Sequence, residues 1–174
     1  MEKVIVIGAG PAGMMASIMA SKAGKNVILL DGNERVGKKL FITGKGRCNV
    51  TNSKDISDFF DFIIGNPTFL YSALYSFTNE DTIRFFEGQG IKLKTERGGR
   101  VFPASDKSSD IIKGLLNKLN EEKVDVRLNS RVTKLISNGE YIEAVEINNE
   151  KILKVTDEDD NIFVYEENNK ILGI

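Results

Sequence analysis

The sequence has no histidine, and its only cysteine is Cys48, in 174 residues. The absence of histidine excludes a histidine general base, a Ser-His-Asp triad and a histidine-ligated metal site within this chain. A single cysteine excludes an internal disulfide and a thiolate zinc site. It also fits a reducing compartment, so we predict a cytoplasmic protein. Any redox chemistry therefore has to be supplied by a bound organic cofactor.

Excess charge and long apolar runs are also lacking. The 24 basic and 25 acidic residues leave a net charge of −1, which gives the whole chain no attraction to nucleic acid or to anionic lipid. No apolar stretch is long enough to span a bilayer. We therefore predict neither nucleic acid nor a membrane as a partner, and the oligomeric state stays open.

Residues 4–31 carry the most informative pattern. An apolar run at 4–7 leads into Gly-Ala-Gly-Pro-Ala-Gly, then into a stretch rich in alanine and methionine, and a second apolar run ends at Asp31. This order predicts a strand, a glycine turn, a helix and a second strand that ends in an acid. Such a unit places a dinucleotide pyrophosphate at a helix N-terminus and a ribose at the carboxylate.

Each glycine of the turn has a separate expected role. Gly8 allows the backbone to turn sharply out of the strand, Gly10 allows a pyrophosphate to approach the main chain, and Gly13 allows the helix to pack closely on the sheet. The unpaired N–H groups and the positive dipole end of the helix favour the phosphates. Asp31 is expected to accept hydrogen bonds from ribose hydroxyls.

The rest of the chain predicts an α/β fold, with the parallel sheet followed by an antiparallel β-meander. Helices are predicted at 55–64, 68–77, 79–87, capped by Asn79, and 109–122, capped by Ser109. A hairpin turn at Gly98 and Gly99 separates two strands. Strands are predicted at 91–96, 100–102, 124–128, 132–136, 141–147, 152–155, 162–165 and 170–174. The strand-like end of the sequence indicates a truncated protein.

A glycine-rich basic loop at residues 43–49 is the second informative feature. Arg47 and Lys45, with Lys38 and Lys39 just before the loop, would favour a nearby pyrophosphate. A solvated basic loop is the alternative interpretation. The loop is not a Walker A motif, because Gly46 follows Gly44-Lys45 where serine or threonine is required.

The sequence resembles a known family in three places. The first unit matches the extended flavoprotein fingerprint, which continues with Ser17, Gly24 and Val27 before the acid. Residues 37–52 and 96–105 look like two signatures of the BaiN-like (YhiN-type) NAD(P)/FAD-dependent oxidoreductases. The resemblance covers residues 4 to about 136. Asp31 stands where the family usually has glutamate, so its carboxylate reaches about one methylene less.

The resemblance implies a Rossmann-like GR2-type FAD-binding domain, interrupted by an inserted domain in the family, of which residues 1–174 form the N-terminal portion. It implies a flavoprotein oxidoreductase that uses FAD, with NAD(P)H as the electron donor and a small organic substrate. No catalytic residue and no metal ligand is assigned. The implied cofactor-binding residues are Gly8, Gly10, Pro11, Ala12, Gly13, Asp31, Lys39, Thr43, Gly44, Arg47, Cys48, Asn49 and, through its backbone to adenine, Val132.

Several alternatives stay open at this point. The same turn could bind NAD(H) instead, the basic loop could contact RNA, or the chain could bind a cofactor without turnover. Cys48 is either a redox thiol with a lowered pKa or, as we favour, a packing residue. Arg97 and Arg100 either meet an anionic substrate or flank a solvated turn. The aromatic residues between 59 and 77 are expected to pack in a core rather than to stack on a ligand.

Overall fold

The computed structural model describes residues 3–155, and its contacts divide the chain into two compact units. Of the described residues, the first unit contains 3–39 and 115–155, and the second contains 40–114. The strands predicted at 162–165 and 170–174 lie outside the described residues. The assignment of residues 1–174 to one FAD-binding domain stays a prediction.

Strands and helices alternate along the first part of the chain, and strands follow one another toward residue 155. The strands are β1 Lys3–Ile7, β2 Asn26–Leu30, β3 Thr51–Asn52, β4 Leu93–Thr95, β5 Arg100–Pro103, β6 Asp125–Arg127, β7 Val132–Ser137, β8 Ile142–Ile147 and β9 Lys151–Lys154. The α-helices are α1 Pro11–Lys22, α2 Lys38–Ile42, α3 Tyr71–Ser76, α4 Asn79–Glu87 and α5 Ser108–Glu121. Short 3-10 helices occupy Thr43–Gly46, Ile56–Phe62, Pro67–Leu70 and Arg97–Gly99. No helix in residues 3–155 has both the length and the apolarity that crossing a bilayer requires.

The first unit is built on a parallel sheet in the order β1-β2-β6. The apolar runs of β1 and β2 are buried almost without interruption, as expected for parallel strands covered on both faces. Helix α1 connects β1 to β2, begins with Pro11 and buries Met14 and Ile18. The helix ends before Gly24, whose φ of +82° gives the left-handed backbone that glycine favours at this position.

An antiparallel meander, β7-β8-β9, completes the first unit. Val145 and Ile147 of β8 pack in one buried cluster with Ile5, Ile28 and Leu30 of the parallel sheet. Asn148 and Asn149, which follow β8, have left-handed φ angles of 55° and 60°, which asparagine tolerates in tight turns. The predicted α/β fold with a parallel sheet and an antiparallel meander is therefore confirmed.

The second unit contains an antiparallel sheet in the order β3-β5-β4. The predicted hairpin between β4 and β5 is confirmed, and its two glycines have φ of 79° and 78°. The cap predicted for α4 is wrong by one residue. Thr78 is the N-cap and forms a capping box with Asp81, whose pKa falls to about 2 because the Thr78 N–H donates to its carboxylate.

The segment between residues 55 and 77 differs most from the sequence prediction. Two short 3-10 helices and α3 replace the expected amphipathic helices, and none of these three elements has a buried residue. The expectation that the aromatic side chains pack in a core is wrong, since Phe62 is 71% exposed and Phe69 is 74% exposed. Gly65, at φ +96°, and Pro67 explain the interruption, because neither continues a regular helix.

Candidate functional site

The glycine turn after β1 combines close packing with open space. Gly8 has a φ of +99°, and its N–H donates to the Leu30 carbonyl at 2.7 Å. A Cβ on Gly13 would lie 1.9 Å from the Gly8 carbonyl oxygen, so only glycine fits there. Gly10 has an ordinary φ of −75°, and a Cβ on it would meet no atom within 4 Å. Gly10 therefore faces free space rather than packed structure.

The N-terminus of α1 has no competing side chain. No side chain caps this helix, and its first turn contains no acidic residue. Pro11 and Ala12 are exposed. The amides and the positive dipole end of the first turn are therefore available to an external anion.

Asp31 is fixed beside the glycine turn by hydrogen bonds. The residue is only 8% exposed, and its Oδ2 accepts the Ala9 backbone N–H at 2.6 Å. Oδ1 accepts both the backbone N–H and the side-chain amide of Asn33, at 2.7 and 2.9 Å. An ionised carboxylate has about four acceptor positions, so about one is left for a ligand. Sequence reasoning missed Ala9 and Asn33, although Asn33 follows Asp31 closely enough to signal a local turn.

The strand that contains Val132 begins next to this acid. The Asp31 N–H donates to the Arg127 carbonyl at 3.0 Å, and the Ser130 N–H donates to the Asp31 carbonyl at 2.8 Å. Arg131 lies against Gly32, since a Cβ on this glycine would lie 3.1 Å from the Arg131 Cβ. Val132 is half-buried and pairs with Ile147. Sequence reasoning missed Arg131, although it directly precedes Val132.

Lys39 is exposed near the start of α2. The preceding segment is attached to the glycine turn, because the Gly37 N–H donates to the Ala9 carbonyl at 2.8 Å. Lys38 donates to the Asn33 side-chain oxygen at 3.2 Å. The first unit thus brings the glycine turn at residues 8–13, the Asp31 carboxylate and the start of β7 close together.

The remaining predicted residues, Thr43, Gly44, Arg47, Cys48 and Asn49, lie in the second unit. The loop has a left-handed backbone at several positions, with φ of 56° at Gly44, 58° at Lys45 and 60° at Cys48. Two of these are not glycine, so the conformation has to be stabilised by its surroundings. Asn49 is exposed, and Cys48 is only 1% exposed.

Arg47 is held by two carboxylates and an aromatic ring. Its guanidinium donates to Glu96 and, at 2.7 Å, to Asp106, and it lies 4.2 Å from the centroid of Phe102. The hydrogen bonds to Glu96 and Asp106 raise the pKa of Arg47. These contacts connect the loop to the hairpin and favour a structural role for Arg47. Its role in cofactor binding stays a prediction.

Burial raises the pKa of the Cys48 thiol. This direction favours the packing role over a redox thiol with a lowered pKa. Its backbone N–H donates to the Thr43 carbonyl at 3.1 Å, which fits the packing role that the sequence favoured.

Comparison with known proteins identifies the family. The sequence matches the HI0933-like protein Rossmann domain over residues 2–158. The chain belongs to the HI0933-like family. The BaiN-like resemblance and the Rossmann-like FAD-binding fold class are therefore confirmed.

Two relatives and one solved structure show what this HI0933-like chain resembles. It is 33% identical over 148 residues to the 3-dehydro-bile acid delta(4,6)-reductase of Clostridium scindens, a match that covers 83% of the chain and 36% of the relative. It is 36% identical over 128 residues to the ribosomal RNA dihydrouridine synthase of Escherichia coli, covering 74% and 31%. The structure of the open conformation of a flavocytochrome c3 fumarate reductase superposes with a TM-score of 0.64 at 25% identity, covering 94% of this chain and 33% of that one.

The HI0933-like chain spans about a third of the length of the curated relatives that it matches. One of these relatives is named for ribosomal RNA, so the absence of nucleic acid as a partner stays a prediction. The cytoplasmic location also stays a prediction. Within residues 3–155, no three side chains of the types that ligate metals cluster together.

The ion pairs of Arg47 and Lys94 with Glu96 and Asp106 predict that the folded chain is sensitive to acid. The hydrogen bond from Arg47 lowers the pKa of Glu96, and hydrogen bonds from Lys94 and then Arg47 lower that of Asp106. A carboxylate with a lowered pKa in the folded state contributes stability above its unfolded pKa, and that contribution disappears as the pH falls through the folded value. We expect the free energy of unfolding to decrease below about pH 4.5.

Urea unfolding at a series of pH values measures this effect. The Glu96→Gln variant should be less stable at neutral pH and should lose less stability on acidification. Glu140→Gln, at an exposed position that forms no ion pair within residues 3–155, is the control and should follow the native curve. The same acid dependence in Glu96→Gln and the native chain would contradict the assignment.

Proposed function

We propose that this chain is the FAD-binding portion of an oxidoreductase that reduces a carbon–carbon double bond adjacent to a carbonyl group. The support comes from what the three named proteins act on. A 3-oxo bile acid with double bonds at positions 4 and 6, uridine and fumarate all contain such a bond. A small organic substrate with a conjugated carbonyl is therefore the proposed substrate class, with NAD(P)H as the proposed electron donor.

The hydrogen bond between Ala9 and Asp31 is the observation that carries the FAD assignment. It fixes the carboxylate beside the glycine turn, where Gly10 faces open space and the first turn of α1 has no side-chain cap. Phosphate and ribose sites are thus adjacent, as a dinucleotide requires. The absence of histidine also fits, since the protein then supplies binding and orientation rather than a nucleophile.

In this proposal, different residues of the first unit bind different parts of FAD. Gly8, Gly10, Ala12 and Gly13 hold the pyrophosphate, Pro11 starts the helix, and Asp31 accepts a hydrogen bond from the ribose. The Val132 backbone contacts adenine, and Lys39 is a further cofactor contact. FAD, when bound, supplies the hydride chemistry that no side chain of this chain provides.

Flavin content and affinity test the proposal. We expect the purified chain to show a flavin absorbance spectrum or to bind added FAD in calorimetry, with mass analysis identifying the released cofactor. NADH in competition distinguishes the alternative cofactor, and tighter binding of NADH would overturn the choice of FAD. Colourless protein that also fails to bind added FAD would remove the proposal altogether.

A second measurement concerns turnover. Oxidation of NAD(P)H is followed with an enone acceptor and with its saturated ketone, each with and without added FAD. Consumption that requires both the flavin and the double bond supports the proposed reaction. Flavin binding without NAD(P)H consumption would instead indicate that this chain binds the cofactor but does not catalyse the reaction.

A further inference from the structure

Arg131 lies beside the proposed ribose carboxylate and has no role in the cofactor contacts described so far. Hydrogen bonds join the segment after β2 to the segment before β7. The Ser130 N–H donates to the Asp31 carbonyl at 2.8 Å, and the Asn129 N–H donates to the Asn33 carbonyl at 2.9 Å. The two segments are therefore held next to each other before any ligand binds.

The backbone of Arg131 is fixed through both its N–H and its carbonyl. The N–H donates to the Asn148 side-chain oxygen at 3.0 Å, and the Asn148 N–H donates to the Arg131 carbonyl at 2.8 Å. The Asn148 side-chain amide also donates to the Asn129 carbonyl, at 2.9 Å. The fold therefore determines where the Arg131 side chain starts.

Gly32 gives this side chain room to lie along the segment that follows the acid. A Cβ on Gly32 would lie 3.1 Å from the Arg131 Cβ and 3.3 Å from its Nε. Because both the first and a distant atom of the side chain are close to Gly32, the side chain runs along the glycine rather than away from it. A larger residue at position 32 would have to displace it.

The Arg131 guanidinium is unpaired within residues 3–155, where it forms no ion pair and donates no hydrogen bond. The residue is exposed. The neighbouring acid does not bind it, since the Asp31 carboxylate accepts the N–H groups of Ala9 and Asn33 instead. The site therefore offers two separate groups to one ligand, a carboxylate acceptor and a planar cation.

The covalent structure of adenosine decides which part of it meets each group. The two ribose hydroxyls share one edge of the ring, and the 5′ carbon and the base leave from opposite sides of that edge. With the pyrophosphate at the glycine turn and a hydroxyl at Asp31, the base is directed away from the turn. Asp31 faces the turn through Ala9 and faces the segment after β2 through Asn33. The base is therefore directed toward this second segment, against which Arg131 lies.

An arginine near the ribose of a dinucleotide has two possible uses. It accommodates a 2′-phosphate in some nicotinamide cofactors, or its planar guanidinium stacks on an aromatic ring. The carboxylate of Asp31 favours the second use, because a 2′-phosphate would lie against a group of the same charge. Stacking on an uncharged base carries no such cost.

We propose that Arg131 binds the adenine base of FAD by stacking its guanidinium on the ring. This assignment rests on the proposed function and adds a binding residue to the same site. Gly32 has a role in it as well, since it lets Arg131 lie where the base arrives. The contact favours FAD over FMN, which carries no adenine.

Calorimetric titration of the complete 174-residue chain with FAD tests the proposal. Arg131→Gln should weaken FAD binding roughly tenfold, as expected when a partly desolvated contact between a guanidinium and a ring is lost. Arg131→Lys keeps the charge without the planar group and should weaken binding about threefold. Both variants should melt with the native chain in the absence of flavin, because the side chain is exposed and unpaired within residues 3–155.

Lys134→Gln is the matched control. It removes the same charge from an exposed position on β7 and should leave FAD affinity unchanged. An equal loss in Lys134→Gln and Arg131→Gln would show a general effect of charge and would overturn the assignment. Native affinity in Arg131→Gln would overturn it as well.

Two competitors of FAD distinguish the base from a 2′-phosphate. They are 5′-AMP and adenosine 2′,5′-bisphosphate, which differ only in that phosphate. We expect 5′-AMP to compete better with the native chain and to lose about the same factor as FAD in Arg131→Gln. If the bisphosphate competes better and loses this advantage in Arg131→Gln, Arg131 binds a phosphate and the stacking proposal is refuted.

Gly32→Ala tests the contact inside the protein. The added methyl group displaces the Arg131 side chain, so FAD affinity should fall by up to the same factor as in Arg131→Gln. In the Arg131→Gln background the same substitution should have no further effect. Equal losses in both backgrounds would contradict the role of Gly32 in placing Arg131.

The flavin proposal and this assignment fail in different ways. A native chain that binds no FAD removes both. A native chain that binds FAD, together with Arg131→Gln that binds it equally well, leaves the flavin proposal intact and refutes only the role of Arg131.

Discussion

The Gly13→Ala variant is expected to lose at least about 3 kcal/mol of folding stability and to melt roughly 10 °C below the native chain. The added methyl group would lie 1.9 Å from the Gly8 carbonyl oxygen. The backbone fixes the position of this Cβ and the oxygen is itself a backbone atom, so no side-chain rotation relieves the contact, and α1 has to move away from β1. Thermal unfolding followed by circular dichroism measures the loss, and calorimetry should show that FAD affinity falls with it.

Ser17→Ala is the matched control for this variant. Ser17 lies in the same helix, is completely buried, and its hydroxyl has no hydrogen-bond partner among the described residues. Removing an unsatisfied buried hydroxyl is neutral or stabilises by about 1 kcal/mol. If Gly13→Ala has the same melting temperature as the native chain, the close contact between Gly13 and the Gly8 carbonyl is not the constraint that we infer.

Substitutions at Gly10 should have the opposite effect: they should lower the affinity for FAD and change the folding stability little. The Gly10 backbone accepts any side chain, and a Cβ there meets no atom within 4 Å. A side chain would fill the space through which a pyrophosphate reaches the first turn of α1. We expect Gly10→Val to reduce FAD affinity roughly a hundredfold, the effect of losing about two charge-assisted hydrogen bonds.

A series at this position supplies its own control. Gly10→Ala should have an intermediate effect on FAD affinity, and all three proteins should share one melting temperature in the absence of flavin. The measurements are calorimetric titrations with FAD and thermal unfolding without it. Native affinity in Gly10→Val would show that the pyrophosphate does not approach this turn, and the FAD assignment would then lose its structural basis.

The sequence predicted most of the first unit because its signals are local. The apolar run, the glycine turn and Asp31 specify β1, α1 and β2 through neighbouring residues, and Asn148 and Asn149 indicate the turn after β8. The hydrogen bond from Ala9 to Asp31 was not predicted, although both residues belong to the recognised pattern. Residue types indicate that a carboxylate is present, whereas its hydrogen-bond partners depend on the three-dimensional path of the chain.

The second unit was harder to predict because its important contacts join distant segments. Nothing near Arg47 in the sequence indicates that Glu96 and Asp106 bind it, so its residue type alone suggests a cofactor phosphate as the partner. Thr78 and Asn79 are both good capping residues, and local propensity does not choose between them. The helical spacing of the aromatic residues at 59–77 predicted a core, yet Phe62 and Phe69 are exposed.

The insertion of residues 40–114 between the two parts of the first unit has a consequence for folding kinetics. Strand β2 lies between β1 and β6, and its pairing with β6 joins Ile28 to Asp125. Closing a loop of this length costs chain entropy before any contact forms, which slows folding. During synthesis the continuous 40–114 segment leaves the ribosome before β6 does, so it can organise while the edge of β2 is still unpaired.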